Sequence, residues 1–593
     1  MSVRRGIGLV FALIGIAVCV SALGVLVMYL ALSRGPAIPQ AATLVLRPSG
    51  ALQEVPSDTL VGQVLGREAG SVRALVDGLR LAKQDPRIRH VLLRPSTLDL
   101  PYWGKVQELR DAVLDFRRSG KKVTAFLEYG GDREYFLATA ADRIYLLPGS
   151  LLDLTGVASY EVFLRGALDA VGARADFLHV GEYKSAPNQL TEKTFTPAHR
   201  EMTESLNREA FDQLVRGIAE ARRRSPEQIR ALVDEGPFVA ARALEAGLVD
   251  GVAYEDQLDD LVPELGGAGA GERLIEDKAY ARVSPSAIGV RTGSRIAVVY
   301  AVGAIVSGKS GYDGSTGPTL GSDTMVEQLR RVGRDPSIRA IVLRIDSPGG
   351  SAVASDVIWR ELVVLKQQAP QRPLIVSMSD LAASGGYYIA TPGDVIVAQP
   401  GTLTGSIGIF AGKIVIDGTL DKLGVNVESV TSGADADIYS PFGPFTERQR
   451  GKIDAFMQDF YKGFLQKVAD SRRTTPAAVD AVARGRVWTG AQARERGLVD
   501  RLGGLDTAVA IAKERAGIPA SETVELVTYP SPRSFYEVLS EEFSTRGAAP
   551  GAAWMWQVLG GRTEARAVVA AAAPARLFRR GEPLALMPFA FVR

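Results

Sequence analysis

The chain has 593 residues, with Lys+Arg 69 against Asp+Glu 67 and a formal charge of +2. That length calls for more than one domain, and the balanced charge leaves no basic excess for a phosphate backbone, so no nucleic-acid partner is expected. A single cysteine, Cys19, and three scattered histidines (His90, His179, His199) exclude a disulfide framework and a cysteine-ligated metal site. No cofactor is expected, and nucleophilic chemistry would run without a histidine base.

Arg4 and Arg5 precede 28 uncharged residues, Gly6–Ser33, and Arg34 follows. A bilayer-spanning helix needs roughly 20 apolar residues, whereas a secretory signal has an apolar stretch of about 7–15. The run over 1–34 therefore predicts a single-pass anchor, with an over-long cleaved signal peptide as the alternative. The arginines stay inside, and the body faces the far side of the membrane. After the linker SRGPAIPQAA (33–42) a first repeat is expected over 43–262 and a second over 294–535. A joint, 263–293, carries GGAGAGE.

The repeat is read from self-similarity. Residues 75–94 and 325–344 share nine of twenty positions at an offset of 250, and 135–157 echo 387–409 at 252. Apolar β-rich runs (295–302, 340–346, 373–379, 394–399) alternate with helical periods, which predicts an α/β fold with a largely parallel sheet. A long amphipathic helix after Thr446 should bury Ile453, Phe456, Met457, Phe460, Phe464, Leu465 and Val468. Its twin carries Met202, Leu206, Phe211, Leu214 and Ile218. The extension 536–593 has no counterpart in the first repeat. Its end, PLALMPFAFV (583–592), reads first as a packing arm and second as a strand added to a groove.

Three loops of the second repeat can carry chemistry. Ser347-Pro348-Gly349-Gly350 joins a strand to a helix and frees backbone N–H groups for an oxyanion. Ala383-Ser384-Gly385-Gly386 exposes a serine at a second strand-to-helix turn, and Gly401–Ser406 offers another hydroxyl. The first repeat supplies Lys184 in Gly181–Ala186. In register, the twin of Ser384 is Asp132 and the twin of Lys184 is Ala436, while Thr97–Leu100 replace the paired glycines. Each copy lacks what the other has. A serine needs a base, and a lysine serves if burial lowers its pKa, opposed by a nearby carboxylate such as Glu182. Gly303–Ser310 fits a Walker A pattern, yet no helical period starts until about Asp323, so no nucleotide is expected. His179 reads as a packed or edge histidine.

The anchor, the two repeats and the SPGG, ASGGYY and GEYKSA loops together resemble the signal peptide peptidase A (protease IV) family in its long two-repeat form. That resemblance implies two tandem ClpP/crotonase-like repeats and a membrane-bound serine endopeptidase with a Ser-Lys dyad. Ser384 would be the nucleophile, Lys184 the general base and acid, and Ser406 the lysine's hydrogen-bond partner. Gly350 and Gly385 would form the oxyanion hole. It further implies a homotetramer at the bacterial inner membrane, its body extracytoplasmic, that degrades remnant signal peptides and other apolar peptides. Rival readings are a crotonase-type acyl-CoA enzyme on the same fold and a non-catalytic membrane scaffold.

Overall fold

The computed structural model describes residues 38–54, 70–262, 273–313, 317–530, 582–587 and 591–592, with six separate helical positions between 15 and 24. The anchor expected over 1–34 otherwise lies outside the described residues. Among the described residues no helix is long and apolar enough to cross a membrane.

Each half is built on one parallel sheet, and the two sheets have the same strand order. In the first, Gly251–Val252, Arg143–Leu146, Lys122–Leu127, Ile88–Leu93, Ala42–Leu46 and Leu274–Glu276 lie side by side. In the second the order is Arg501–Leu502, Val395–Ala398, Leu374–Ala383, Ile338–Ser347, Arg295–Val302 and Glu525–Tyr529. Both edge strands close their sheets alike: Leu274 pairs with Thr43, and Glu525 pairs with Arg295. The central strands are apolar on both faces because helices cover both sides, which is the rule for parallel sheets.

The duplication extends to single hydrogen bonds. Tyr135 Oη donates to Leu248 O at 2.6 Å, and Tyr387 Oη donates to Leu498 O at 2.8 Å. Asp250 accepts from Ile144 N–H at 2.8 Å, and Asp500 accepts from Ile396 N–H at 2.7 Å. The paired 26-residue helices Pro197–Arg222 and Glu447–Arg472 each start on a threonine cap, Thr196 and Thr446. The second buries most of its expected face, but Phe456 is 48% exposed, one step off the buried stripe. Gly303–Ser310 enters a strand at Ala304–Val306, and the next helix starts at Ser322, so no helix N-terminus follows the pattern at once.

A third sheet crosses between the halves and carries the site. Its order is Gly311–Asp313, Gly317–Gly321, Ala304–Val306, Gly349–Ser351, Leu584–Leu586, Ile409–Val415 and Arg174–Val180. The last two run antiparallel, one from each repeat, with Val180 opposite Ile409. Behind this sheet a buried ionic cluster joins the halves. Arg344 holds Glu54 at 2.8 Å and Glu108 at 2.5 Å, and Lys105 holds Asp346 at 2.7 Å. Burial alone would push the Glu54 carboxyl up, but Arg344 and Lys105 outweigh it and hold it at about 2.

Candidate active site

The strand Leu374–Ala383 ends at Ser384, whose φ of 55° and ψ of −113° lie where non-glycine residues are rarely found. Such a conformation costs about 1–3 kcal/mol and needs its surroundings to hold it. The Ser384 N–H donates to Gly405 O at 2.7 Å, and Ser384 O accepts from Tyr388 N–H at 2.8 Å. Glycine follows because nothing larger fits: a Cβ on Gly385 would stand 2.5 Å from Ser355 Oγ, and one on Gly386 2.7 Å from Ser347 O. The serine is fully buried in this arrangement.

Lys184 arrives from the other repeat. The antiparallel pairing of Arg174–Val180 on Ile409–Val415 carries the chain to Gly181, four residues after Val180's partner Ile409 has fixed the register. Gly181 has φ 98°, and a Cβ there would meet the Arg484 carbonyl at 2.3 Å. Tyr183 N–H then donates to Arg484 O at 3.0 Å. Lys184 Nζ ends 2.8 Å from Ser384 Oγ and 3.0 Å from both Ser406 O and Ser406 Oγ. The lysine is fully buried, and burial drives its pKa well below the ordinary 10.5. As a neutral amine it has two hydrogens for the two Ser406 oxygens and one lone pair for the Ser384 hydroxyl. Glu182 does not oppose this shift as the sequence suggested. It points outward, 3.6 Å from Arg484, and both side chains are about half exposed.

The SPGG loop separates its two glycines by role. Gly349 N–H donates to Ser347 Oγ at 3.2 Å, which itself donates to Gly303 O at 2.6 Å. Gly350 packs so tightly on the neighbouring strand that a Cβ would lie 2.1 Å from Ile305 O. Its backbone faces the turn that opens at Gly385, where a Cβ would stand 3.2 Å from the Gly349 Cα. The N–H groups of Gly350 and Gly385 thus converge on one space beside Ser384. Ser384, Lys184, Ser406, Gly350 and Gly385 are all in this one place. His179 is on the exposed side of its strand, with Nδ1 2.9 Å from Gly181 O.

The segment Arg484–Arg486 was not anticipated. Gly485, φ 80°, backs directly on the lysine: a Cβ would lie 2.5 Å from Lys184 N and 2.6 Å from its Cα. The same turn holds the Ser406 loop, because Ser406 N–H donates to Arg486 O at 2.7 Å and Gly485 N–H to Ile407 O at 2.8 Å. Its only signal in the sequence is a glycine between two arginines. In the first repeat the corresponding turn is degenerate. Asp132 accepts from Gly156 N–H at 3.1 Å, and burial pushes its carboxyl up to about 7. Ala436 lies in an exposed loop.

The description Peptidase family S49 matches residues 115–266 and 366–519, one match on each repeat. The chain is 34% identical over 475 residues to the chloroplastic serine protease SPPA of Arabidopsis thaliana, covering 79% of this chain and 69% of that one. It is 34% identical over 494 residues to Protease 4 of Salmonella typhi, covering 80% and 78%. Protease 4 of Haemophilus influenzae is 30% identical over 453 residues, covering 74% and 72%. With both halves matched and relatives of this extent, the chain belongs to peptidase family S49 and is a serine peptidase built from two copies of that family's unit.

Proposed function

We propose that this peptidase works through a Ser384–Lys184 dyad and degrades signal peptides after their release from exported proteins. The observation that carries the reading is the 2.8 Å contact of a buried lysine amine with the serine hydroxyl. Lys184 takes the Ser384 proton as Oγ attacks the peptide carbonyl, and the N–H groups of Gly350 and Gly385 receive the oxyanion. Lys184 returns the proton to the leaving amine, Ser406 keeps its Nζ in place, and water then resolves the acyl-enzyme. The apolar side chains around the site, among them Phe410, Met202 and Val487, suit an extended apolar peptide.

In this reading residues 1–34 anchor the chain in the bacterial inner membrane with the body outside the cytoplasm. The repeats span 43–262 and 294–535, joined by 263–293, and 536–593 is an extension. A homotetramer is supported by the twin of the lysine strand: Val425, Val427 and Val430 are exposed, Val430 fully so, where Arg174–Val180 is paired. The test uses Ser384→Ala and Lys184→Ala with a fluorogenic apolar peptide. Each substitution should lower kcat/KM by at least about 1,000-fold, and the double variant should fall no further, since both groups serve one step. Near-normal rates in Lys184→Ala would end the dyad. A Ser384 that ignores a serine-directed probe in the unmodified protein would favour the scaffold.

A further inference from the structure

The C-terminal residues Pro583–Met587 lie against the SPGG loop as an added antiparallel strand. The register sets Gly349 against Leu586, Gly350 against Ala585 and Ser351 against Leu584. Beyond these pairs, Met587 N–H donates to Pro348 O at 2.9 Å and Ala352 N–H donates to Pro583 O at 3.1 Å. Hydrogen-bonded pairs alternate along an antiparallel ladder, so the pair between those two, Gly350 and Ala585, is also a bonded one. Gly350 N–H therefore donates to the Ala585 carbonyl. The same oxygen overhangs the other glycines, 2.1 Å from where a Cβ on Gly349 would be and 3.2 Å from one on Gly385. A backbone carbonyl of the chain itself thus fills the space between Gly350 and Gly385.

Both sides of that carbonyl are held. Leu584 and Leu586 pack on Phe410, with Phe177 and Ala186 from the lysine repeat beside them. Met587 packs on Ala383, Met202 and Val487 and lines a mostly apolar cavity of about 60 Å³. Residues 584–587 are all at most 5% exposed. An extended segment bound on both sides of a carbonyl in an oxyanion cradle is positioned as a substrate, beyond the demands of a strap.

We infer that the C-terminal segment is a substrate of this active site, cut between Ala585 and Leu586, a conclusion that rests on the dyad proposed above. Ser384 Oγ bonds to the Ala585 carbonyl carbon as its proton passes to Lys184 Nζ. The bond to the Leu586 nitrogen breaks as Lys184 returns that proton to it, releasing Leu586–Arg593. Water, giving its proton to Lys184, then hydrolyses the Ala585 ester and leaves a new C-terminal carboxylate.

The experiment follows the intact mass of the full-length protein in detergent, unmodified and as Ser384→Ala, during turnover of an added fluorogenic peptide. The unmodified protein is expected to lose Leu586–Arg593 while Ser384→Ala keeps it. Ala585→Trp, too large for a fully buried position, should slow that loss by at least about tenfold. An intact tail in a protein that turns over the added peptide overturns this inference alone, as does a cut at another bond or an equal cut in Ser384→Ala. Failure to cleave either the peptide or the tail, with no reaction toward a serine-directed probe, overturns the dyad as well.

Discussion

A lysine that accepts a proton must hold a free lone pair at the working pH, and Lys184 is held in that form by burial. Acylation should fall about tenfold for each pH unit below its depressed pKa. The check is the acylation rate by a slow covalent substrate between about pH 5 and 10, and a flat profile would reject a titrating lysine. Stability carries the same sign. The unfolded chain holds the proton up to about 10.4 and the folded one releases it earlier, so between those values stability rises with pH, by at most about 1.4 kcal/mol per unit. Lys184→Met should remove that slope in urea titrations. Asp132 is the mirror case, with a folded pKa of about 7 against an ordinary 3.8. The folded protein keeps a proton there that the unfolded chain loses, so stability falls as pH rises through that window. Asp132→Asn should leave stability near pH 3.5 unchanged and add about 1–2 kcal/mol at pH 8, allowing for its partial exposure to solvent. Equal gains at both pH values would show that the carboxyl does not titrate as argued.

At the scale of elements, two short connections decide whether the dyad forms: the pairing of Arg174–Val180 with Ile409–Val415, and the Arg484–Arg486 turn behind Lys184. Gly485→Ala puts a methyl where the lysine backbone already is, at a positive φ that alanine resists. A displacement of about 1 Å can cost about 100-fold in rate, so kcat should drop by roughly that factor while urea unfolding shifts far less. Unchanged kcat would mean that the turn does not set the lysine's position. Sequence alone could reach Ser384 and Lys184 because each repeat had lost the other's residue, and a loss in register is visible without a structure. It could reach the parallel sheets because their strands are unbroken apolar runs. Gly485 was out of reach for a physical reason. It lies about 300 residues from the lysine it supports, and a lone glycine in a turn carries no period. Residues 583–592 were legible as a strand in search of an edge, but the identity of that edge depends on a loop whose shape comes from packing. Phe456 fell on the expected helical stripe and is exposed, since a stripe read from sequence does not say how wide the buried face is.

At the scale of the molecule, the two repeats are joined by charges that water does not reach. Glu54 and Glu108 of the first repeat share Arg344 of the second, and Ser377 also accepts from Arg344 at 2.9 Å. Removing one partner of a buried pair typically costs about 3–5 kcal/mol, because the remaining charges stay buried. Arg344→Met should therefore destabilise the protein by about that much, and adding Glu54→Gln and Glu108→Gln should recover much of the loss. If the triple variant is no better than Arg344→Met, the cluster is not the clamp between the halves. The antiparallel strand pair that brings Lys184 to Ser384 also has a meaning in time. A growing chain exposes its lysine about 200 residues before its serine, and the turn that backs the lysine is made later still. Throughout synthesis and export the unfinished polypeptide holds a strained serine without a base, or a buried amine without a nucleophile. Proteolytic capacity thus begins only when the last of these pieces has been translated and docked, which protects the machinery that makes the enzyme.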